Sequence, residues 1–190
     1  MTPPLPRPTL FLDVDDVLCP NAPFGGLHVQ RALARPDEAP PDIFERLFSR
    51  EAVDVLNDLL EEFSPRIVLT TSWLSMLDRR HFVDVFSRCR LPRVASALHE
   101  YWDAPTNRGT SRLQAIEKWL ERHHQGQPIL VLDDIQSGES IIDSFLHTSG
   151  RAVLCGATGC LQRRHLATAR SALLRPYLHS GPRRRGMPSE

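Results

Sequence analysis

Short apolar runs along the chain alternate with segments in which apolar residues recur at helical spacing. The runs are continuously apolar, as in strands buried on both faces of a sheet, and they predict strands at 10–12, 66–71, 92–96, 129–132 and 151–155. Helical spacing predicts helices at 53–63, 76–88, 113–120, 139–147 and 162–174. Strands that alternate with helices in this way predict an α/β fold with a doubly wound, mostly parallel, Rossmann-like sheet.

Prolines and glycines mark the parts of the chain that lie outside this pattern. Residues 1–8 are proline-rich and predict a flexible lead-in to one domain at 9–175. Residues 19–41 contain five prolines and the pair Gly25–Gly26, which predicts a long loop or a minimal cap. Residues 176–190 are short and basic. We expect them to form a disordered tail, with a contact to nucleic-acid phosphates as the alternative.

The overall charge is balanced. The 190 residues include 23 basic and 23 acidic side chains, which argues against a strongly basic nucleic-acid binder. Four cysteines form no CxxC pair, so we expect free thiols rather than a zinc site or a disulfide framework. No apolar run approaches the roughly 18 residues of a membrane-spanning helix, and the first residues lack a signal-peptide layout. We therefore expect a cytoplasmic protein with no membrane partner.

Three of the predicted strands end in polar side chains. Parallel strands bring their carboxyl ends to one edge of the sheet, which is where ligands bind in open α/β folds. Carboxylates from separate strands that meet at this edge repel one another, so they call for a divalent cation. Oxygen ligands favour a hard ion, and Mg²⁺ is the ion we expect. The groups concerned are Asp13, Asp15 and Asp16 after the first strand, Thr70, Thr71 and Ser72 after the second, and Asp133 and Asp134 after the fourth.

These strand ends resemble the motifs of the haloacid dehalogenase (HAD) superfamily of phosphatases. The segment at 10–18, LFLDVDDVL, is similar to the first motif, DxDx(T/V). The segments at 67–73, IVLTTSW, and at 129–134, ILVLDD, are similar to the second and fourth motifs. Arg108 and Gly109, ahead of a helix that carries Trp119 and Leu120, resemble the small-cap branch that includes the HAD domains of Swiss army knife RNA-repair proteins. The resemblance covers residues 9–174 and implies a HAD-like fold with a minimal cap.

The resemblance implies a role for each acidic residue. Asp13 would be the nucleophile that attacks phosphorus and becomes an aspartyl-phosphate. Asp15 would protonate the leaving oxygen and then activate the water that hydrolyses the intermediate. Mg²⁺ would be held by the Asp13 carboxylate, the Asp15 main-chain carbonyl and either Asp133 or Asp134.

The resemblance also implies a hydroxyl and a cation that bind the phosphoryl oxygens. We expect the hydroxyl from Thr71. For the cation we expect Arg108, which stands 25 residues before Asp133 at the position of the family's third motif. Arginine can bind phosphate through two donors, so it can replace the commoner lysine. The alternatives stay open: Thr70 and Ser72 for the hydroxyl, and Arg112 and Lys118 for the cation.

The function predicted from these features is a Mg²⁺-dependent phosphomonoester hydrolase. Without a large cap its site would be open, so the substrate is a small phosphorylated molecule or a nucleic-acid end. A phosphorelay receiver domain is disfavoured, because its middle strand would end in aspartate where this chain has Thr-Thr-Ser-Trp. The alternative is a catalytically weak HAD-like module that binds nucleic acid or a protein partner. The presence of both Asp13 and Asp15 argues against that alternative.

Overall fold

A parallel sheet of five strands organises the part of the chain that the computed structural model describes, residues 6–156 and 159–178. Its strand order is β3-β2-β1-β4-β5, and every neighbouring pair runs parallel. The strands are β1 (Thr9–Leu12), β2 (Arg66–Leu69), β3 (Leu98–Asp103), β4 (Ile129–Asp134) and β5 (Ala152–Cys155). This order confirms the predicted α/β fold with a doubly wound, Rossmann-like sheet.

Helices connect the strands and cover both faces of the sheet. They are α1 (Gly26–Ala34), α2 (Ile43–Arg46), α3 (Arg50–Phe63), α4 (Arg79–Arg88), α5 (Pro92–Ala97), α6 (Arg112–His123), α7 (Phe145–Thr148) and α8 (Leu166–Leu174). Short 3-10 turns lie at Pro36–Glu38, Ser72–Ser75, Glu139–Ile141 and Arg163–His165. None of the helices in the described ranges is long and apolar enough to cross a membrane.

The central strands are continuously apolar because they are buried on both sides. In β1, Leu10 and Leu12 join a large core beneath α3, α4, α5 and α8. Phe11 points the other way, into a smaller core beneath α6 and α7, where it meets the edge of Trp119. Side chains alternate between the two faces of a strand, so a strand between two helical layers has no polar face. The sheet is therefore held rigidly where its strands end.

The predicted strand at 92–96 is wrong. These residues form α5, and the strand begins at Leu98. Pro92 occupies the first turn of α5, where its missing N–H costs nothing. The real strand, β3, lies at the edge of the sheet and is mostly exposed or half-buried. Its sequence, LHEYWD, therefore lacks the apolar run that marks the central strands.

The insertion at 19–41 is not a plain loop. It contains α1 and the 3-10 turn at Pro36–Glu38. Val29 and Ala32 on α1 are buried in the large core. The insertion therefore packs on the domain as a small helical element.

The C-terminal segment is fastened to β5 by one buried arginine. The guanidinium of Arg151 donates hydrogen bonds to the carbonyls of Ala172 (2.9 Å), Arg175 (2.6 Å) and Pro176 (2.7 Å). The four cysteines are free and buried, as expected. The predictions for the first residues of the lead-in (1–5) and for the tail beyond residue 178 fall outside the described residues.

Candidate active site

The register of the sheet places three polar side chains side by side. Leu12 pairs with both Leu69 and Leu132, so the next residues, Asp13, Thr70 and Asp133, stand at one level of the sheet. Backbone hydrogen bonds continue the ladder to this level: Asp13 N donates to Leu132 O, and Thr70 N donates to Leu12 O. All three side chains are buried. The strand ends converge as the sequence predicted.

Three carboxylates form a buried cluster at this edge. Oxygen atoms of Asp13, Asp133 and Asp134 lie within 4.8 Å of one another. Asp134 Oδ1 accepts hydrogen bonds from the backbone N–H groups of Gln136 and Ser137, and Asp133 Oδ1 accepts one from Asp134 N. Each of these two carboxylates is thus fixed through Oδ1. Asp134 Oδ2 is buried without a hydrogen bond, whereas the buried Asp133 Oδ2 forms an ion pair. Neither Asp13 oxygen accepts a hydrogen bond from another side chain.

The electrostatics of the cluster favour a bound cation. Burial raises the pKa of Asp13 to about 6, although the nearby charge of Arg112 and a backbone hydrogen bond from Val14 oppose the rise. Burial also raises the pKa of Asp133, and the nearby charge of Asp13 adds to this rise. Unsatisfied buried carboxylate oxygens are costly, and oxygen atoms are the ligands that hard divalent ions prefer. The donor set therefore fits a divalent metal ion.

Arg112 is the cation that the structure brings to this cluster. It is the first residue of α6, whose start is capped by the side chain of Ser111. Its side chain is 6% exposed; Nε lies 2.9 Å from Asp133 Oδ2 and Nη2 lies 3.6 Å from Asp13 Oδ1. The third nitrogen, Nη1, is buried without a hydrogen-bond partner. A guanidinium in this position can compensate two carboxylates and still donate to a ligand.

The structure does not bring Arg108 or Lys118 to the carboxylates. Arg108 is exposed in the turn that precedes α6, and Lys118 is exposed on the outer face of α6. No ion pair with Asp13 or Asp133 is found for either residue in the described structure. The position expected for Arg108 is thus taken by Arg112, which the sequence had left as an alternative.

The hydroxyl groups after β2 have three different surroundings. Thr70 Oγ1 is buried and has no hydrogen-bond partner, at the same sheet level as Asp13. Thr71 Oγ1 accepts a hydrogen bond from Trp73 N and caps the 3-10 turn. Ser72 Oγ donates to Asp15 Oδ2 at 3.0 Å. The hydroxyl of Thr71 already accepts one hydrogen bond within the turn, whereas the hydroxyl of Thr70 has no partner among the described residues.

Asp15 is held apart from the buried cluster. Its Oδ1 accepts a hydrogen bond of 2.9 Å from the indole nitrogen of Trp73, and its Oδ2 accepts the one from Ser72. The next residue, Asp16, is exposed and has a left-handed backbone (φ 55°). This turn sets Asp13 and Asp15 on the same edge of the sheet, one buried and one half-exposed.

Comparison with protein families matches residues 9–166 to the model of the HAD domain in Swiss Army Knife RNA repair proteins. The chain belongs to this family. The match runs from β1 to the first residue of α8 and so includes Asp13, Asp133, Asp134 and Arg112. A comparison with curated proteins and one with solved structures give no match. Membership confirms the resemblance found in the sequence, and it makes this HAD domain a HAD-type hydrolase whose acidic cluster can hold a metal ion.

Proposed function

We propose that this HAD domain is a Mg²⁺-dependent phosphomonoester hydrolase that works through an aspartyl-phosphate on Asp13. The observation that carries the proposal is the state of Asp13. Its carboxylate is buried at the end of the central strand, neither oxygen accepts a hydrogen bond from another side chain, and Arg112 faces it at 3.6 Å. A buried, unsolvated carboxylate beside a fixed cation is arranged for nucleophilic attack on a group that brings negative charge.

The metal would be held by oxygens of Asp13, Asp133 and Asp134, with the Asp15 main-chain carbonyl as a further ligand. Asp134 Oδ2 and the two Asp13 oxygens have no side-chain hydrogen bond, whereas Asp133 Oδ2 is paired with Arg112. When bound, the ion neutralises these carboxylates and part of the charge on the phosphate, so that the two anions can approach. Mg²⁺ is favoured over a softer metal because the whole ligand set is oxygen.

The protein groups then divide the reaction between them. An oxygen of Asp13 attacks phosphorus as the bond from phosphorus to the leaving oxygen breaks, and Asp15 gives its proton to that oxygen. Arg112, through its free Nη1, and Thr70, through its hydroxyl, donate hydrogen bonds to the phosphoryl oxygens that do not react. In the second step Asp15 takes a proton from water, which attacks the aspartyl-phosphate and releases inorganic phosphate.

The substrate we propose is a phosphate monoester on a small molecule or on the end of a nucleic acid. A cavity of about 240 Å³ opens beside the cluster and is lined by Asp16, Asp134, Ile135, Gln136, Cys155 and Gly156. It gives the leaving group of a bulky substrate room next to the carboxylates. Since the family is described from RNA repair proteins, oligoribonucleotides with a 5′- or 3′-phosphate are the first substrates to try.

A phosphate-release screen with Mg²⁺ tests the proposal. It should cover nucleotides, sugar phosphates, simple alkyl and aryl phosphates and phosphorylated oligonucleotides. We expect release that depends on Mg²⁺, stops with a chelator, and is absent in Asp13→Asn, whose amide is a far poorer nucleophile. Release that persists in Asp13→Asn would remove Asp13 from the nucleophile role. No release from any substrate, together with salt-dependent binding of oligonucleotides, would favour the binding module instead.

A further inference from the structure

The carboxylate of Asp15 is held from two sides by the turn that follows β2. Trp73 Nε1 donates to Oδ1 at 2.9 Å and Ser72 Oγ donates to Oδ2 at 3.0 Å. Both donors are neutral, and an indole nitrogen can only donate a hydrogen bond. Trp73 can therefore orient Asp15 without accepting its proton. Aspartate side chains otherwise move between several rotamers, and the two hydrogen bonds select one.

Trp73 is itself firmly fixed. Its ring is 1% exposed, and it packs near Phe48 in the large core. Its backbone N–H donates to the hydroxyl of Thr71, which ties the ring to the end of β2. Unlike Ser72, which is exposed, the indole is a rigid donor built into the core. Trp73 therefore holds Asp15 in a fixed orientation relative to the sheet that carries Asp13.

The insertion at 19–41 closes against the polar edge of this indole. Gly26, the first residue of α1, lies so near that a Cβ there would stand 2.8 Å from Trp73 Nε1 and 3.0 Å from Cε2. Real Cβ atoms do not approach ring atoms this closely, and Cε of Met76 at 3.1 Å blocks one escape. Alanine is normally favoured over glycine inside a helix, so glycine at this position is explained by the indole.

We propose that Trp73, seated by Gly26, is a positioning residue that holds Asp15 for proton transfer to the leaving oxygen. The inference rests on the hydrolase proposed above and adds residues to its site. Aligning an acid with the atom it protonates replaces a search among conformations. Loss of this alignment slows the attack by Asp13 on substrates whose leaving oxygen needs a proton, and it spares substrates whose leaving group departs as a stable anion.

The leaving group provides the test. An alkyl phosphate releases a strongly basic alkoxide and needs the proton, whereas 2,4-dinitrophenyl phosphate releases a stable anion and does not. The quantity to measure is kcat/KM, which reports the first irreversible step, for the wild type's best alkyl substrate and for the dinitrophenyl ester. For Trp73→Phe we expect a fall of about tenfold or more on the alkyl substrate and less than about threefold on the aryl ester.

Two further variants sharpen the comparison. Trp119→Phe is the matched control, because it also removes a buried indole N–H, the one that donates to Tyr101 O at 2.8 Å, on the other face of the sheet. It should leave the ratio of the two kcat/KM values unchanged. Gly26→Ala should reproduce the selective loss, since its methyl group displaces the indole. It should add little once Trp73→Phe has removed the ring edge that it strikes.

Equal losses on both substrates, or no loss on either, would overturn the positioning role while leaving the hydrolase intact. A wild type that hydrolyses neither ester would instead overturn the proposed function, and the positioning role with it. Melting temperatures of all variants show whether they fold. If Trp73→Phe does not fold, Ser72→Ala at the exposed second donor carries the same comparison and should show the same selective loss.

Discussion

Replacing Arg112 by methionine removes the guanidinium but keeps most of the apolar length of the side chain. In the metal-free protein this leaves Asp13 and Asp133, both almost fully buried, without the cation that lies 3.6 Å and 2.9 Å from them. Breaking a buried ion pair from one side typically costs roughly 3–5 kcal/mol. For a domain of this size, that corresponds to a fall in melting temperature of about 6–20 °C. We expect such a fall when the melt is recorded with EDTA above about pH 8, where Asp13 and Asp133 are ionised.

Mg²⁺ should reduce the destabilisation, because a bound cation would neutralise the same carboxylates. We therefore expect a smaller difference in melting temperature between Arg112→Met and wild type at saturating Mg²⁺ than in EDTA. Turnover should still fall about ten- to a hundredfold, since a charge-assisted hydrogen bond to a phosphoryl oxygen contributes roughly 1.5–3 kcal/mol. Arg112→Lys should recover part of the rate, because it keeps the charge and loses the fork of donors.

Arg108→Met and Lys118→Met are the matched controls, since both side chains are exposed. Each should change the free energy of unfolding by less than about 0.5 kcal/mol and leave turnover nearly unchanged. The assignment of the phosphate-binding cation to Arg112 is refuted if Arg108→Met is the inactive variant. It is equally refuted if Arg112→Met melts with the wild type in EDTA and keeps its turnover.

Three other outcomes follow from the structure. In EDTA, the free energy of unfolding should fall as pH rises from about 4 towards 8. The pKa values of Asp13 and Asp133 are raised in the folded protein, so these residues retain protons that the unfolded chain has released. Urea titrations that give the same stability across this pH range would contradict this. Thr70→Val should slow turnover with little loss of stability, whereas Thr71→Val should lower the free energy of unfolding by about 1 kcal/mol because the turn loses its cap. Kinetics and melts of both variants test this, and the opposite pattern would contradict it. Arg151→Met leaves three carbonyl groups without their hydrogen-bond donor and should lower the free energy of unfolding by at least about 3 kcal/mol. Denaturant unfolding within error of wild type would contradict this role of Arg151.

The central strands and their polar ends could be predicted because burial on both faces leaves a plain signal. In β1, β2 and β4 an apolar run stops where side chains turn to the ligand edge. The edge strand β3 gives no such signal, since its side chains are largely exposed or half-buried. The strand was predicted at 92–96 instead, six residues before β3 begins.

The choice of cation could have been made from helical phase. Arg112 precedes Ile116 by four residues and Trp119 by seven, so it shares their buried face of α6. Spacing to the fourth motif pointed to Arg108 instead, but spacing alone does not say which side of the coming helix a residue will occupy. An arginine at an apolar position of a helix is costly unless it has a buried partner, and Asp133 is that partner.

The choice between Thr70 and Thr71 depends on register, which the sequence does not carry. A slip of one residue exchanges the faces of a strand, and both threonines follow the same apolar run. The pairing of Leu12 with Leu69 sets Thr70 level with Asp13, and this favours Thr70 as the hydroxyl that faces the proposed site. Two neighbouring hydroxyls thus take different tasks, one open to a ligand and one closing a turn.

The contact that links the insertion to Asp15 through Trp73 could not be predicted from the sequence. Gly26, Trp73 and Asp15 are far apart in the chain and meet only because β1 and β2 are neighbours and α1 folds back over their ends. Gly25 and Gly26 lie in a segment predicted as a long loop or a minimal cap, yet Gly26 begins a helix, and its missing side chain makes room for an indole. Because Gly26 leaves room for the indole of Trp73, the insertion is part of the structure that orients Asp15. Changes in the insertion should therefore reach the chemistry through Trp73, although α1 carries none of the reacting groups.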